Sequence, residues 1–219
     1  MIQDRTVLYV TSNREAPEFE EKIRGALLAV AGALPIVSVS QKPIDLGENV
    51  CVGEHDSNYG NEYMQLLIGA RAAKTTWLLA AEADCLYPPS YFTFTPPGGD
   101  LWRYDNVWIL WRNLAYGSAF KKKRNSEGAQ MVRREFLIDR IETATKGLPE
   151  WHDANEPWNV PIYRQHSWQF FGDPQEPVIS VKSGRGVRPT TQVQGGSEPA
   201  DEIPFWGRAD VLRKELFGG

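Results

Sequence analysis

Apolar and polar positions alternate between two periods over the first 85 residues. "TVLYVTS" (6–12) is β-branched and apolar and predicts a strand. From Pro17, Phe19, Ile23, Leu27 and Val30 recur three or four apart, which predicts a helix closed by Gly32 and Pro35. "PIVSVSQ" (35–41) predicts a second strand, and after the loop "KPIDLGENVCVGEHDSNYG" a second helix is marked by Tyr63, Leu66, Leu67 and Ala70. "TTWLLAA" (75–81) is apolar on both faces, the pattern of a strand inside a parallel sheet covered by helices.

Beyond residue 85 the rhythm breaks. "NVWILW" (106–111) and "PVISV" (177–181) predict strands, and "ADVLRKELF" predicts a closing helix. Residues 127–146 predict one long helix with Val132, Phe136, Leu137 and Ile141 inward. From 147 onward the chain is rich in Pro, Gly and Trp, and no repeat or linker divides it. The expected fold is α/β: a mostly parallel open sheet flanked by helices, in one domain over 1–219, with an irregular C-terminal half.

Charge narrows the partners. The net charge of -4 excludes a general polycation, so any nucleic-acid contact needs a local basic patch. "KKKRN" (121–125) is such a run, although a charge run is by default a solvated loop. Cys51 and Cys85 are too few for a disulfide framework or a thiolate metal site, and are expected to be buried small residues in a reducing compartment. "MIQDRTVLYV" lacks the basic start of a leader, and no apolar stretch approaches a membrane span, so a cytoplasmic protein is expected. Six of the eight tryptophans gather in two groups, Trp102, Trp108 and Trp111, and Trp151, Trp158 and Trp168, which suit either a core or an aromatic-lined cleft.

The chemistry concentrates in "WLLAAEADCLYPP" (77–89). An apolar strand runs into Glu82 and Asp84, and Pro88 and Pro89 turn the chain away. In extended backbone the two carboxylates share a side, just beyond the carboxyl end of a central strand, where open α/β sheets bind ligands. Two adjacent like charges are costly unless a cation or proton joins them, and oxygen ligands suit Mg²⁺ or Mn²⁺. The alternative is a pair of solvated loop acids.

The run "SVSQKPIDLGENVCVG…NEYMQLLIGARAAKTTWLLAAEADCLYPPSYF" resembles small glycosyltransferases of the GT-A fold, with Glu82-Ala83-Asp84 as a variant of their acidic motif. The resemblance covers residues 5 to about 95 and continues more weakly through "NVWILW", 127–146 and "IPFWG" (203–207). It implies a GT-A-like domain with a nucleotide-sugar-binding half (1–95) and an acceptor-binding half (96–219). It also implies a UDP-sugar donor and a divalent metal, Mn or Mg, on Glu82 and Asp84. Thr11, Ser12, Asn13 and Arg14 are then candidate nucleoside contacts, Gln41 and Lys42 lie near base and phosphates, and Asn61 and Gln65 stand on the helix before the acids. Where the resemblance expects a late histidine ligand, Ser183 stands; His166 and His152 remain as candidates, and Arg185 and Arg188 could clamp the diphosphate instead.

In that scheme Asp84 stabilises the departing diphosphate through the metal. Asp153 is the preferred general base, with Glu156 and Glu127 as alternatives. Proteins similar to this one in phage-like genomes glycosylate hydroxymethylated pyrimidines in DNA, which implies a DNA acceptor gripped by Lys121, Lys122, Lys123 and Arg124, and a location in the host cytoplasm. A saccharide acceptor is the alternative. Two other readings stay open. A nucleotidyltransferase uses a similar sheet, acids and metal but usually opens with a glycine-rich basic loop, which "TSNREAP" is not; no "GxxxxGK" loop occurs either. A catalytically inactive nucleic-acid-binding module is the third.

Overall fold

The computed structural model describes residues 4–56, 58–113, 117–123, 125–153, 167–181 and 198–218. In chain order its elements are β1 (Arg5–Thr11), α1 (Pro17–Ala31), β2 (Ile36–Ser40), β3 (Glu48–Cys51), α2 (Tyr59–Ala72), β4 (Trp77–Glu82), β5 (Cys85–Leu86) and α3 (Pro89–Thr93). There follow β6 (Leu101–Tyr104), β7 (Val107–Asn113), β8 (Gly117–Lys123), β9 (Gln130–Arg133), α4 (Arg134–Thr145), β10 (Gln169–Phe171), β11 (Val178–Val181), β12 (Glu202–Ile203), β13 (Gly207–Arg208) and α5 (Ala209–Phe217).

The main sheet has the order β10-β6-β9-β4-β1-β2-β3. β1 pairs in parallel with both β2 and β4, and β2 with β3. β9 runs antiparallel between β4 and β6, and β6 and β10 both keep the common direction. The carboxyl ends of β1, β2 and β4 therefore lie along one rim. Chain order reverses between β1 and β4, and that switch point is where open sheets of this kind leave a crevice.

Strand alternation sorts the core. Val7 and Tyr9 face the side covered by Leu27 and Ala31 of α1, while Leu8 and Val10 face α2 and α4 through Leu66, Leu67, Leu137 and Ile141. Helix α2 lies so close to the sheet that a β-carbon on Gly69 would overlap the Leu8 side chain. A second sheet, β5-β11-β7-β8, packs with α5 against the other side of α1, where Phe19 and Ile23 meet Leu110, Phe120, Ile179 and Leu212. The expected mostly parallel sheet flanked by helices is the fold observed.

Three expectations are corrected. The long helix over 127–146 is β9 followed by α4, and Val132 lies in the sheet opposite Leu78 and Leu101. Val132 and Phe136 are four apart, so one strand residue keeps helical phase with the helix behind it. "KKK" is the end of β8 and not a loop. Cys51 is exposed, while Cys85 is buried as expected. Among the described residues no helix is long and apolar enough to cross a membrane.

Candidate functional site

Strand β4 ends at Glu82, and residues 83–84 turn the chain into β5. A turn, and not continued extended backbone, thus brings the acids together. Ligand atoms of Glu82, Asp84 and Cys85 all lie within 4.8 Å of one another. The Cys85 thiol lies 3.4 Å from Asp84 Oδ1 and 3.8 Å from Glu82 Oε2, within reach of either acceptor for its one hydrogen. Carboxylate oxygens gathered this closely are the hard ligands that Mg²⁺ and Mn²⁺ prefer. The two carboxylates therefore fit Mg²⁺ or Mn²⁺, and the thiol, a softer ligand, lies beside them. Among the described residues no histidine joins this group.

The rim is held by Tyr87. Its hydroxyl accepts the Glu82 backbone N–H (3.0 Å) and donates to the Gly128 carbonyl (2.5 Å). Burial pushes that hydroxyl well above its ordinary value, with the nearby Cys85, Tyr91 and Glu82 adding to the effect, so it stays protonated and keeps both bonds. Gly128 faces the Glu82 carboxylate directly, with no space for a β-carbon.

A pocket of about 470 Å³ opens at the ends of β1 and β2, lined by Ser12, Asn13, Arg14, Gln41, Lys42 and Asp153 among others. It lies on the same rim as the acids, since Val10 is opposite Glu82 in the β1–β4 pairing and Ser12 follows two residues later, although neither acid lines it. Its floor is built from asparagines and glutamines. Asn13 takes a left-handed backbone (φ 51°) and accepts the Lys42 N–H at 2.8 Å, joining the ends of β1 and β2. Its amide donates to the buried Glu20 carboxylate (3.2 Å), which also receives the Thr11 hydroxyl (3.4 Å) and Arg24 (3.4 Å). Burial raises the Glu20 carboxyl, while Arg24, Asn13 and Thr11 pull it back. Gln65 donates to the Thr11 (2.9 Å) and Val39 (3.1 Å) carbonyls, so Thr11 and Gln65 brace the pocket from behind.

The far wall comes from residues 151–153. Asn61 accepts the His152 N–H (2.8 Å) and, with Asn58, donates to its carbonyl (both 2.9 Å). Trp151 stacks on His55 with ring centroids 3.6 Å apart. The predicted nucleoside contacts Ser12, Asn13 and Arg14 thus meet Gln41, Lys42 and Asp153 in one cavity, and Asn61 positions its wall. Asp153 stands with the nucleoside set and is absent from the acid group. His166, Glu156, Ser183, Arg185, Arg188 and Arg124 lie outside the described residues. Sequence reasoning missed Tyr87, Gly128, Asn58 and the His55–Trp151 stack; of these only Asn58 carried a local signal, a helix-capping residue three before Asn61.

The lysine run does not form one basic grip. On β8 alternate residues face opposite ways. Lys121 covers Trp111 (4.4 Å), Lys122 donates to Asn106 (2.7 Å), and the buried Lys123 donates to Ser126 (3.0 Å). Partial burial lowers the Lys122 ammonium.

No family model matches the chain, and no curated protein matches it in sequence. Solved structures do share its architecture. The inositol-1-phosphate CTP transferase from T. maritima matches with a TM-score of 0.53 at 11% identity, over 84% of this chain and 92% of that one. HddC from Yersinia pseudotuberculosis matches with 0.48 at 9% identity, over 80% and 92%. The likeness is one of fold. It corrects the family expectation all the same, because the structure that superposes best of these is a CTP transferase and not a GT-A glycosyltransferase. Glycosyl transfer from a UDP-sugar and a hydroxymethylpyrimidine acceptor in DNA are withdrawn with it. The strands and acids that carried the resemblance build an architecture that hosts more than one chemistry.

Proposed function

We propose that this chain is a nucleotidyltransferase: it binds a nucleoside triphosphate and transfers the nucleotidyl group to a phosphorylated acceptor, releasing pyrophosphate. The observation that carries this reading is that the Glu82–Asp84 pair and the pocket share one rim, at the carboxyl ends of the neighbouring strands β4 and β1. The shared fold of a CTP transferase supports it.

The nucleoside lies in the pocket, between the Ser12–Arg14 turn and the Trp151–Asp153 wall. Lys42, which pairs with Glu54 at 3.3 Å, and Arg14 line it and would meet the triphosphate. Glu82 and Asp84 would hold a divalent cation, which supplies neutralisation of the phosphate charge when bound. An acceptor phosphate oxygen forms a bond to the α-phosphorus as the bond to the pyrophosphate oxygen breaks, and the electron pair leaves with pyrophosphate. Proton removal is not required of an acceptor that is already an anion, so this reading gives Asp153 a binding role in the pocket and no general-base role.

The lack of a glycine-rich loop is met by Asn13. Its left-handed backbone makes the sharp turn that glycine usually makes, and its side chain locks the turn to Lys42 and Glu20. A cytoplasmic location, where nucleoside triphosphates are abundant, fits this reading.

The test is pyrophosphate release from CTP, UTP, ATP or GTP with Mg²⁺ and a panel of sugar and polyol phosphates. Release that requires one triphosphate and one phosphorylated acceptor is expected. No release from any pair, or consumption of nucleotide sugars instead, overturns the reading.

A further inference from the structure

The turn between β8 and β9 carries a further carboxylate that the site above does not use. Glu127 precedes Gly128, and Gly128 is bound to the acid rim on two sides: its carbonyl receives the Tyr87 hydroxyl, and its α-carbon abuts the Glu82 carboxylate. In sheet order β4 has β1 and the nucleoside pocket on one side and β9 on the other. Glu127 therefore stands on the side of the rim away from the nucleoside.

Its carboxylate is fixed by two donors from different elements. Oε2 accepts the Tyr63 hydroxyl of α2 at 3.1 Å, and Oε1 accepts Arg103 Nη2 of β6 at 3.4 Å. Arg103 is itself immobilised: its other terminal nitrogen donates to Asn125 (2.8 Å) and its guanidinium lies 4.2 Å from the centroid of Trp168. The pair is asymmetric. The Arg103 side chain is 6% exposed, whereas Glu127 is 40% exposed. A carboxylate serving only to neutralise a buried guanidinium is best placed face to face with it, with both oxygens engaged. Here one oxygen takes Arg103, the other takes Tyr63, and acceptor capacity remains on each toward solvent.

We propose that Glu127 binds hydroxyl groups of the acceptor, and that the acceptor is a polyhydroxylated phosphate monoester; this rests on the nucleotidyltransferase reading. An oriented carboxylate accepts from O–H donors and repels phosphate. It therefore holds the polyol end of such a molecule and leaves its phosphate to point toward the Glu82–Asp84 rim. Arg103 and Tyr63 act as positioning residues for Glu127.

Isothermal titration of the full-length protein with Mg²⁺ tests this, using myo-inositol 1-phosphate, glucose 1-phosphate, glycerol 3-phosphate and inorganic phosphate, with CTP, UTP, ATP and GTP titrated separately. At least one polyol phosphate is expected to bind at least ~10-fold tighter than inorganic phosphate, a preference set by hydroxyl recognition. Glu127→Ala should abolish that preference and leave triphosphate affinity unchanged. Glu127→Gln, which keeps an oxygen for Arg103 and the same shape, guards against misfolding and should reduce the preference in part. The proposal is overturned if no polyol phosphate exceeds inorganic phosphate, or if both variants keep the wild-type preference. Triphosphate binding without a polyol preference removes this proposal alone; absence of all triphosphate binding removes the nucleotidyltransferase reading with it.

Discussion

Gly128 lies against Glu82 so closely that a β-carbon on Gly128 would overlap the carboxylate. The atoms displaced by such a carbon are the end of a flexible side chain, so the collision moves the acid and leaves the backbone in place. Gly128→Ala is expected to cost under about 1 kcal/mol in stability. Mn²⁺ affinity, measured by electron paramagnetic resonance, should fall ~10-fold or more, as when a partner that orients a ligand is altered. Wild-type Mn²⁺ affinity in this variant would show that Glu82 is not a ligand.

Asp84→Asn tests the other acid. The substitution keeps size and removes charge. Mg²⁺-dependent pyrophosphate release should drop by roughly 10²-fold or more, with an unchanged circular dichroism spectrum. Turnover at the wild-type rate would detach the chemistry from this rim.

Tyr87→Phe tests the brace without touching a ligand. It strips a donor from Gly128 and an acceptor from Glu82, both at a buried hydroxyl. A loss of about 1–3 kcal/mol is expected, lowering the melting temperature by ~2–4 °C per kcal/mol in a chain of this size. An unshifted melting temperature would mean that the hydroxyl is replaced without loss.

The lysines of β8 separate by burial. Lys123 is buried on Ser126, while Lys121 is partly exposed and lies over Trp111. Lys123→Ala should cost about 1–2 kcal/mol through lost packing and an unpaired hydroxyl, and Lys121→Ala within about 0.5 kcal/mol. Urea denaturation of the two variants measures the difference. Equal effects would contradict the difference in burial between the two lysines.

Glu20 gives a pH signature. Burial raises its carboxyl above the ordinary value of 4.5, so between that value and the raised one the folded chain holds a proton that the unfolded chain has released. Folding is then favoured at the acid end of the window and loses stability as pH rises through it. In urea titrations from pH 4.5 to 7, wild type should lose stability relative to Glu20→Gln as pH rises. A constant difference would mean that the Arg24, Asn13 and Thr11 interactions cancel the burial.

Much of the frame was legible before any coordinates. The strand and helix spacings from Thr6 to Ala81 located β1, α1, β2, α2 and β4 because each element buries a stripe whose period is local. "ADVLRKELF" coincides with α5. The same logic failed at Val132, where a strand residue keeps phase with the helix behind it, and at β8, where polar lysines hid a strand that alternates around Trp111 and Phe120. The resemblance singled out Ser12, Asn13, Arg14, Gln41 and Lys42, and these residues, at the ends of two strands, do line one cavity. The family was misjudged because one fold serves several chemistries.

By itself the sequence determined that an apolar strand ends on two acids and that a sheet with helices on both faces carries them. Only the tertiary structure decided what stands beside those acids: Gly128 against Glu82, Tyr87 between them, Arg103 behind Glu127, and Asn61 holding His152 from 91 positions away. Local periodicity reports which face of an element avoids water. It carries no information on which distant turn packs against that face, because that choice is made by the whole core at once.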